Sequence, residues 1–229
     1  MRTTVSGATN RKASLVVGAS LLALSTAQPA LAQSACVGSV CTVENDGVRG
    51  PVSGQTGTVT IVTNSGTIAG TPAISQAESV GLLVSNQQGG VIDGEGGVAI
   101  QGMPRLIFGI ANAGTINGDV VLNDAPAPSI FTAPLVFYIQ EEGGELHGNL
   151  RLGTTGFGSA YFLQRGEDDG IFGSLSAGAG IDVFAKSYRE TGSVALGQYA
   201  KPADFEVEGY EVLGTGTTLT LTGSGTTIN

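Results

Sequence analysis

From residue 58 onward, apolar and polar positions alternate in short runs, and glycine closes each run. Thr58, Val59, Thr60, Ile61, Val62 and Thr63 form one such run, and Val120 to Leu122 another. A period of two predicts strands, and β-branched Thr, Val and Ile suit a pleated, half-buried surface. Apolar stripes at helical spacing are missing from the body of the chain, so the expected fold class is all-β.

The runs repeat. The pattern Gly-x-Ile/Leu-x-Gly is centred on Ile68, Ile92, Ile116 and Leu146, and an imperfect fifth copy is centred on Ile171, where Asp169 replaces the first glycine. The steps between centres are 24, 24, 30 and 25 residues. A period of this size marks a stacked-repeat architecture. Glycine reaches positive φ without penalty, so the glycines are read as sharp corners. One repeat cannot bury its own apolar row; rungs stacked about 4.8 Å apart align the rows into one core. The prediction is one coil of a single-stranded parallel β-helix, or solenoid, per repeat. Ile68, Ile92, Ile116, Leu146 and Ile171 would form a shared interior column. Seven or eight coils would give a rod about 35 Å long on that spacing.

Asn64 and Asn112 each stand two residues before a motif glycine, and Asn86 stands four before Gly90. Asn tolerates the left-handed region and bonds within its own turn. Stacked Asn side chains also bond along repeated-strand assemblies. Both readings stay open at this point. Composition favours order: 37 Gly, no Trp, 13% charged residues and a mean hydropathy of +0.22, against the low hydrophobicity of disordered chains. The Gly- and Thr-rich stretch from 214 to 229 is open to a linker reading.

Residues 1–32 read as a cleavable signal peptide: Arg2, Arg11 and Lys12, an apolar run from Leu15 to Leu24, then Pro29 to Ala32 with small residues before Gln33. The apolar run is too short for a stable membrane span, and no other long uncharged apolar stretch follows, so no membrane-spanning helix is expected in the mature chain. Cleavage takes away three basic groups and leaves 197 residues at a net charge of −12. Such acidity argues against nucleic acid as a partner, because phosphates would be repelled. Cys36 and Cys41 are the only cysteines, and in an oxidising compartment a local disulfide is expected. The expected localisation is the periplasm, the outer-membrane surface or the exterior.

Three regions follow. Residues 33–57 form an N-terminal cap with the Cys36–Cys41 pair. Residues 58–229 form the β-helix, clearest over 58–185. Side loops are expected near 124–134, where Pro126 and Pro128 cannot join a ladder, and near 186–211, where charged and aromatic residues gather. Alternation returns at Thr217 to Ile228 without a visible cap, which predicts a strand edge open to pairing with a like chain.

The repeats, the signal and the Cys-x4-Cys entrance together resemble the passenger region of bacterial autotransporters. The segments that carry the resemblance run from 63 to 70, from 111 to 122, from 170 to 175 and from 178 to 184. It implies export to the outer membrane, a β-helical stalk, and roles in adhesion, aggregation or display. The right hand of the coil comes from this resemblance and from the chirality of parallel crossovers. A C-terminal run of amphipathic strands, which would supply the barrel, is not present in the sequence. The expected function is thus a non-catalytic passenger or stalk with a polar outer wall, either as such or as a fragment of a longer autotransporter. Its loops would contact a surface receptor, a glycan or a like chain, with Phe131, Tyr188 and Tyr199 as anchors.

The competing expectation is a secreted β-helical polysaccharide lyase or hydrolase. Its candidate acids are Glu141, Glu142 and Glu145 beside His147, and Glu167, Asp168 and Asp169; paired carboxylates divide acid and base roles when their environments separate their pKa values. All lie beside predicted corners, where solvated turns are the simpler reading. His147 takes a repeat position also filled by Ala69, Asp93, Asn117 and Phe172, which predicts an outward face. Residues 178–184 follow the calcium nonapeptide rhythm, with Asp182 as a lone calcium candidate. Phosphate-loop and dinucleotide fingerprints are missing, so no cofactor is expected.

Overall fold

The computed structural model describes residues 33–122, 135–153, 159–166, 170–178, 180–195 and 202–222. The signal segment 1–32 and the excursion at 124–134 thus lie outside the described residues. The described chain is all-β and winds into a parallel β-solenoid of about six complete turns. Each complete turn has three sides, here named faces A, B and C.

Face A is the longest stack. Strands Val40–Asn45 and Val59–Asn64, then 81–86 and 107–112, then Leu135–Gln140, Ser159–Gln164, Val183–Tyr188 and Val207–Val212 pair in parallel, one above the other. Face B is short and holds the motif centres. Ile68 pairs with Ile92, Ile92 with Ile116, Ile116 with Leu146, and Leu146 bridges Ile171. The first four are 0% exposed, and Ile171 packs partly buried against the same core. Arg49 stands beneath Ile68 at the N-terminal end of the column. Face C carries a second apolar column: Val52, Ile74, Ile100, Val120, Leu150 and Leu175 in successive register.

The interior is one continuous cluster fed by all three faces. On face A the inward side chains change along the axis. Val43, Val62, Val84 and Ile110 give way to Tyr138, Phe162 and Phe184. Those rings stack at 5.9 and 5.0 Å between centroids. Phe205 then folds in edge-on to Phe184 at 5.7 Å and is fully buried. An apolar column dries the core, and ring pairs at these separations add about 0.5–1.5 kcal/mol each beyond area burial.

The A–B corner settles the asparagine question. Asn45 Nδ2 donates to Asn64 Oδ1 at 2.7 Å, Asn64 Nδ2 to Asn86 Oδ1 at 2.8 Å, and Asn86 Nδ2 to Asn112 Oδ1 at 2.9 Å. Asn112 continues to Gln140 Oε1 at 3.5 Å. Every one of these amides is at most 2% exposed. Each Asn also donates to a carbonyl on face B of the next turn, namely Thr67, Val91, Thr115 and Glu145 at 3.1–3.2 Å. The side chains therefore bond both along the rod and within the corner. A buried amide is tolerated only when its hydrogen-bonding groups are paired, and stacking identical corners supplies the pairs.

Most motif glycines are there for space. Of the nine, only Gly70 and Gly118 have positive φ. A Cβ on Gly66, Gly114 or Gly144 would lie 2.1–2.3 Å from the carbonyl oxygen of Gly47, Gly90 or Asn112 in the turn beneath. The corners thus stack backbone against backbone, closer than any side chain allows.

Two boundaries differ from the sequence expectation. The first turn begins at Val40, inside the segment read as a cap, and only Gln33–Val37 is antiparallel. Cys36 and Cys41 face each other across that hairpin and form a disulfide, S–S 2.12 Å. Of the segment 186–211, read as a side loop, the ends 186–188 and 207–211 join two rungs of face A. Beyond face A in these last two windings, Gly192–Ala195 pairs with Leu219–Thr222 as a separate two-stranded sheet.

Candidate contact surface

Outward residues of faces B and C are mainly polar. On face C, Ser53, Ser75, Gln101, Val121, Arg151 and Ser176 follow one another, polar but for Val121, with the Ser53 and Ser75 hydroxyls 3.2 Å apart. On face B the outward row is Ala69, Asp93, Asn117, His147 and Phe172. The His147 and Phe172 rings stack at 4.5 Å with an interplanar angle of 9°. His147 Nε2 lies 2.9 Å from Glu145 Oε2, with side chains 43% and 50% exposed. Strand alternation alone puts this row outside, since Leu146 between them is fully buried.

A charged column runs up the A–B corner, one position past the amide ladder. Arg165 Nη1 contacts Glu141 Oε1 at 2.8 Å. Its Nε and Nη2 grip Glu211 two turns on, both at 3.0 Å. Ser187, between them, donates its hydroxyl to Glu211. A two-point guanidinium–carboxylate pair fixes geometry as well as charge. The Glu211 carboxyl is held below its usual range, first by the hydrogen bond from Arg165 and further by Ser187 and the nearby positive charges. The Arg165 guanidinium is pushed up in turn, chiefly by Glu211.

Beside this column lies an open groove of about 320 Å³. Ser85, Asn86, Gln87, Ala111 and Ala113 form its floor on two turns, and Glu141, Glu142 and Arg189 its charged wall. Arg189 reaches back to Glu142 at 2.9 Å. Small residues below a tall charged wall make a ledge, and the ledge runs along the rod.

Each described candidate acid has a basic partner of its own. Glu141 and Glu142 are each held by an arginine, and Glu145 by His147. Residues 167–169 lie outside the described residues, as do Phe131 and Tyr199. Tyr188 is partly buried and stands 6.2 Å from Tyr210, ring centre to ring centre. Asp182 is 1% exposed; its Oδ1 accepts from the Ala160 amide at 2.6 Å, and its Oδ2 has no partner. Burial raises its pKa, and the charges of Glu206 and Asp204 add to the rise. Among the described residues, no group of three His, Cys, Asp or Glu side chains is placed to hold a metal ion. No helix is long and apolar enough to cross a membrane.

Arg165 and Glu211 escape a reading by motif, because neither lies in a Gly-x-Ile/Leu-x-Gly copy. The signal that finds Arg165 is the residue after each ladder amide: Ser65 after Asn64, Gln87 after Asn86, Glu141 after Gln140, Arg165 after Gln164. Recognising it requires accepting Gln as a substitute for Asn. Comparison with known proteins finds no matching family, curated protein or solved structure, so the functional argument rests on this surface alone.

Proposed function

We propose that this chain is an exported, non-catalytic β-helical stalk or passenger that presents a contact wall for adhesion or display at a bacterial surface. The observation that carries the reading is the A–B corner. A buried amide ladder fixes it from within, and directly outside that ladder run the charged column and the open groove. A wall repeated at the spacing of the rungs suits an extended ligand, whose own repeats meet the same chemistry turn after turn. The carboxylates of this region are engaged with arginines or histidine, which suits binding better than proton transfer.

The test couples the purified protein to beads and measures retention on arrayed glycans and on cell surfaces. Retention that falls at least tenfold when Arg189→Ala and Glu142→Ala are combined supports the reading. Failure to adhere to any surface, or polysaccharide cleavage that disappears with Glu145→Gln, overturns it. Export is tested by expressing residues 1–229 in a Gram-negative host and sequencing the exported N-terminus. A start at Gln33 is the expected result.

A further inference from the structure

The groove at the A–B corner offers a ligand side chains only. Its floor belongs to middle rungs, whose strands are paired on both sides. At the corner itself, the Gln87, Ala113 and Glu141 amides donate to the Asn64, Asn86 and Asn112 carbonyls at 2.7, 2.8 and 2.9 Å. The Gln87 and Glu141 carbonyls accept from the Gly90 and Gly144 amides. A peptide laid here as an added strand would find no free backbone edge to pair with.

The side chains present donors and acceptors side by side. Gln87 donates its Nε2 to Ser85 Oγ. The Ser85 hydroxyl proton and Gln87 Oε1 have no other partner among the described residues. Glu142 meets Arg189, and Glu141 meets Arg165, through one carboxylate oxygen each. The second oxygen of each carboxylate, and Nε of Arg189, likewise stay open to a ligand among the described residues. Each groove carboxylate thus has its own guanidinium, and the wall carries no unmatched positive charge. The chain as a whole stands at −9, so a polyanion is repelled.

We infer that the groove is a subsite for a neutral glycan, which lies along the rod axis with about one sugar per rung. A hydroxyl both donates and accepts, so neighbouring hydroxyls of a sugar satisfy a mixed set of this kind, whereas an acid or a base alone satisfies half of it. Bonds to carboxylate and guanidinium are also stronger than neutral ones. Rungs recur at about 4.8 Å, close to the length of one pyranose unit in a polymer. Gln87, Ala113 and Glu141 stand on three successive rungs, and a short run of sugars spans them. Ala111 and Ala113 give a low apolar floor that admits the C–H face of a sugar ring. At about 320 Å³ the groove is at the small end of ligand pockets, roughly 300–1,000 Å³. It is open, so it takes an internal segment of a longer chain. No aromatic ring lines it, so a single segment binds weakly, with a dissociation constant on the order of 1 mM, and many displayed copies supply avidity. This assignment rests on the contact-wall reading of the same corner and narrows it to one ligand class.

The test is retention of the purified protein on an array of neutral oligosaccharides, of uronic-acid and sialylated oligosaccharides, and of extended peptides. Ala113→Leu fills the floor and leaves every charge in place, and Gln87→Ala removes an exposed acceptor. Asn117→Ala, outward on face B, is the control. Thermal unfolding establishes that each variant is folded. The expected result is retention on neutral glycans that changes less than twofold between about 50 and 500 mM salt, because no net charge holds the ligand. Ala113→Leu should lower it at least tenfold and Gln87→Ala at least threefold, while the control stays within twofold. Retention on acidic glycans or peptides alone, still lost when Arg189→Ala and Glu142→Ala are combined, would overturn the glycan assignment and leave the contact wall standing. Neutral-glycan retention that both groove variants leave within twofold would do the same. Absence of retention on the array and on cell surfaces alike would overturn both.

Discussion

Asn86 shows how much one side chain does in this fold. It accepts from Asn64, donates to Asn112, and donates again to the carbonyl of Thr115 in the next turn. Asn86→Ala removes all of these and strands buried partners on both sides. Each unsatisfied buried group costs about 1–3 kcal/mol, so a loss of roughly 2–5 kcal/mol in urea unfolding is expected. Asn86→Asp should cost at least as much, because it adds a buried charge and loses the amide donor. Two carboxyls set opposite pH trends. Glu211 is held low in the folded state, so its contribution is present above the ordinary carboxylate range and is lost as pH falls through its lowered pKa. Asp182 is raised, so the folded state keeps a proton that the unfolded state has released. Stability then falls as pH rises from the ordinary pKa, about 3.9, through the raised one. Asp182→Asn keeps an oxygen for the Ala160 amide and removes the charge. The variant should therefore unfold at higher urea than wild type at pH 7, and the advantage should vanish near pH 3. A variant less stable at pH 7 would show that the buried carboxylate has a counter-charge that the described residues do not reveal.

At the scale of a corner, space decides more than conformation. Gly114→Ala places a Cβ 2.3 Å from the carbonyl oxygen of Gly90, a backbone atom that cannot step aside without opening the stack. Overpacking of this kind costs about 1–3 kcal/mol or more. Gly50→Ala is the matched control, with no atom within 4 Å of the added methyl and no positive φ. It should change the unfolding midpoint by less than about 0.5 kcal/mol. The same contrast marks what the sequence made legible. The motif spacing located the face B column because Ile and Leu recur at one position in every turn, and a buried apolar column needs only that periodicity. It also exposed the outward character of His147, since a position that tolerates Ala, Asp, Asn and Phe has no fixed packing partner. It misassigned the role of most motif glycines, because close approach to the turn beneath is a property of the stack and leaves no local trace. The two last rungs of face A were missed for a related reason. Lys186 and Tyr210 occupy the positions that Asn or Gln fill below, so the register of 183–188 and 207–212 is set by neighbours and not by a repeated residue. The contact groove was the least legible feature, because its floor and its wall come from turns up to four windings apart.

The whole molecule behaves as a one-dimensional stack, in which each turn is held by the turns beside it. Its middle turns have neighbours on both sides, an unbroken amide ladder and fully buried columns on all three faces. Its N-terminal end has one neighbour and is closed by the hairpin of Gln33–Val37 against Val40–Asn45, pinned by Cys36–Cys41. Stability in such an array is a sum of turn and interface contributions, so opening should begin at the ends. The disulfide closes so short a loop that chain entropy limits its contribution to about 2 kcal/mol. That contribution belongs to the end of the rod, because Asn86 and Asn112 make none of their bonds through the hairpin and Asn64 meets it only through Asn45. Reduction, or Cys36→Ser with Cys41→Ser, should accelerate hydrogen exchange of the amides from 34 to 45 by tenfold or more. Amides from 82 to 86 and from 108 to 112 should keep their protection within about twofold. Uniform loss of protection along the rod would mean that the hairpin nucleates the entire stack and that the turns are not independently held. Graded loss, falling off over one or two turns, is the result expected when each rung takes its support from the next.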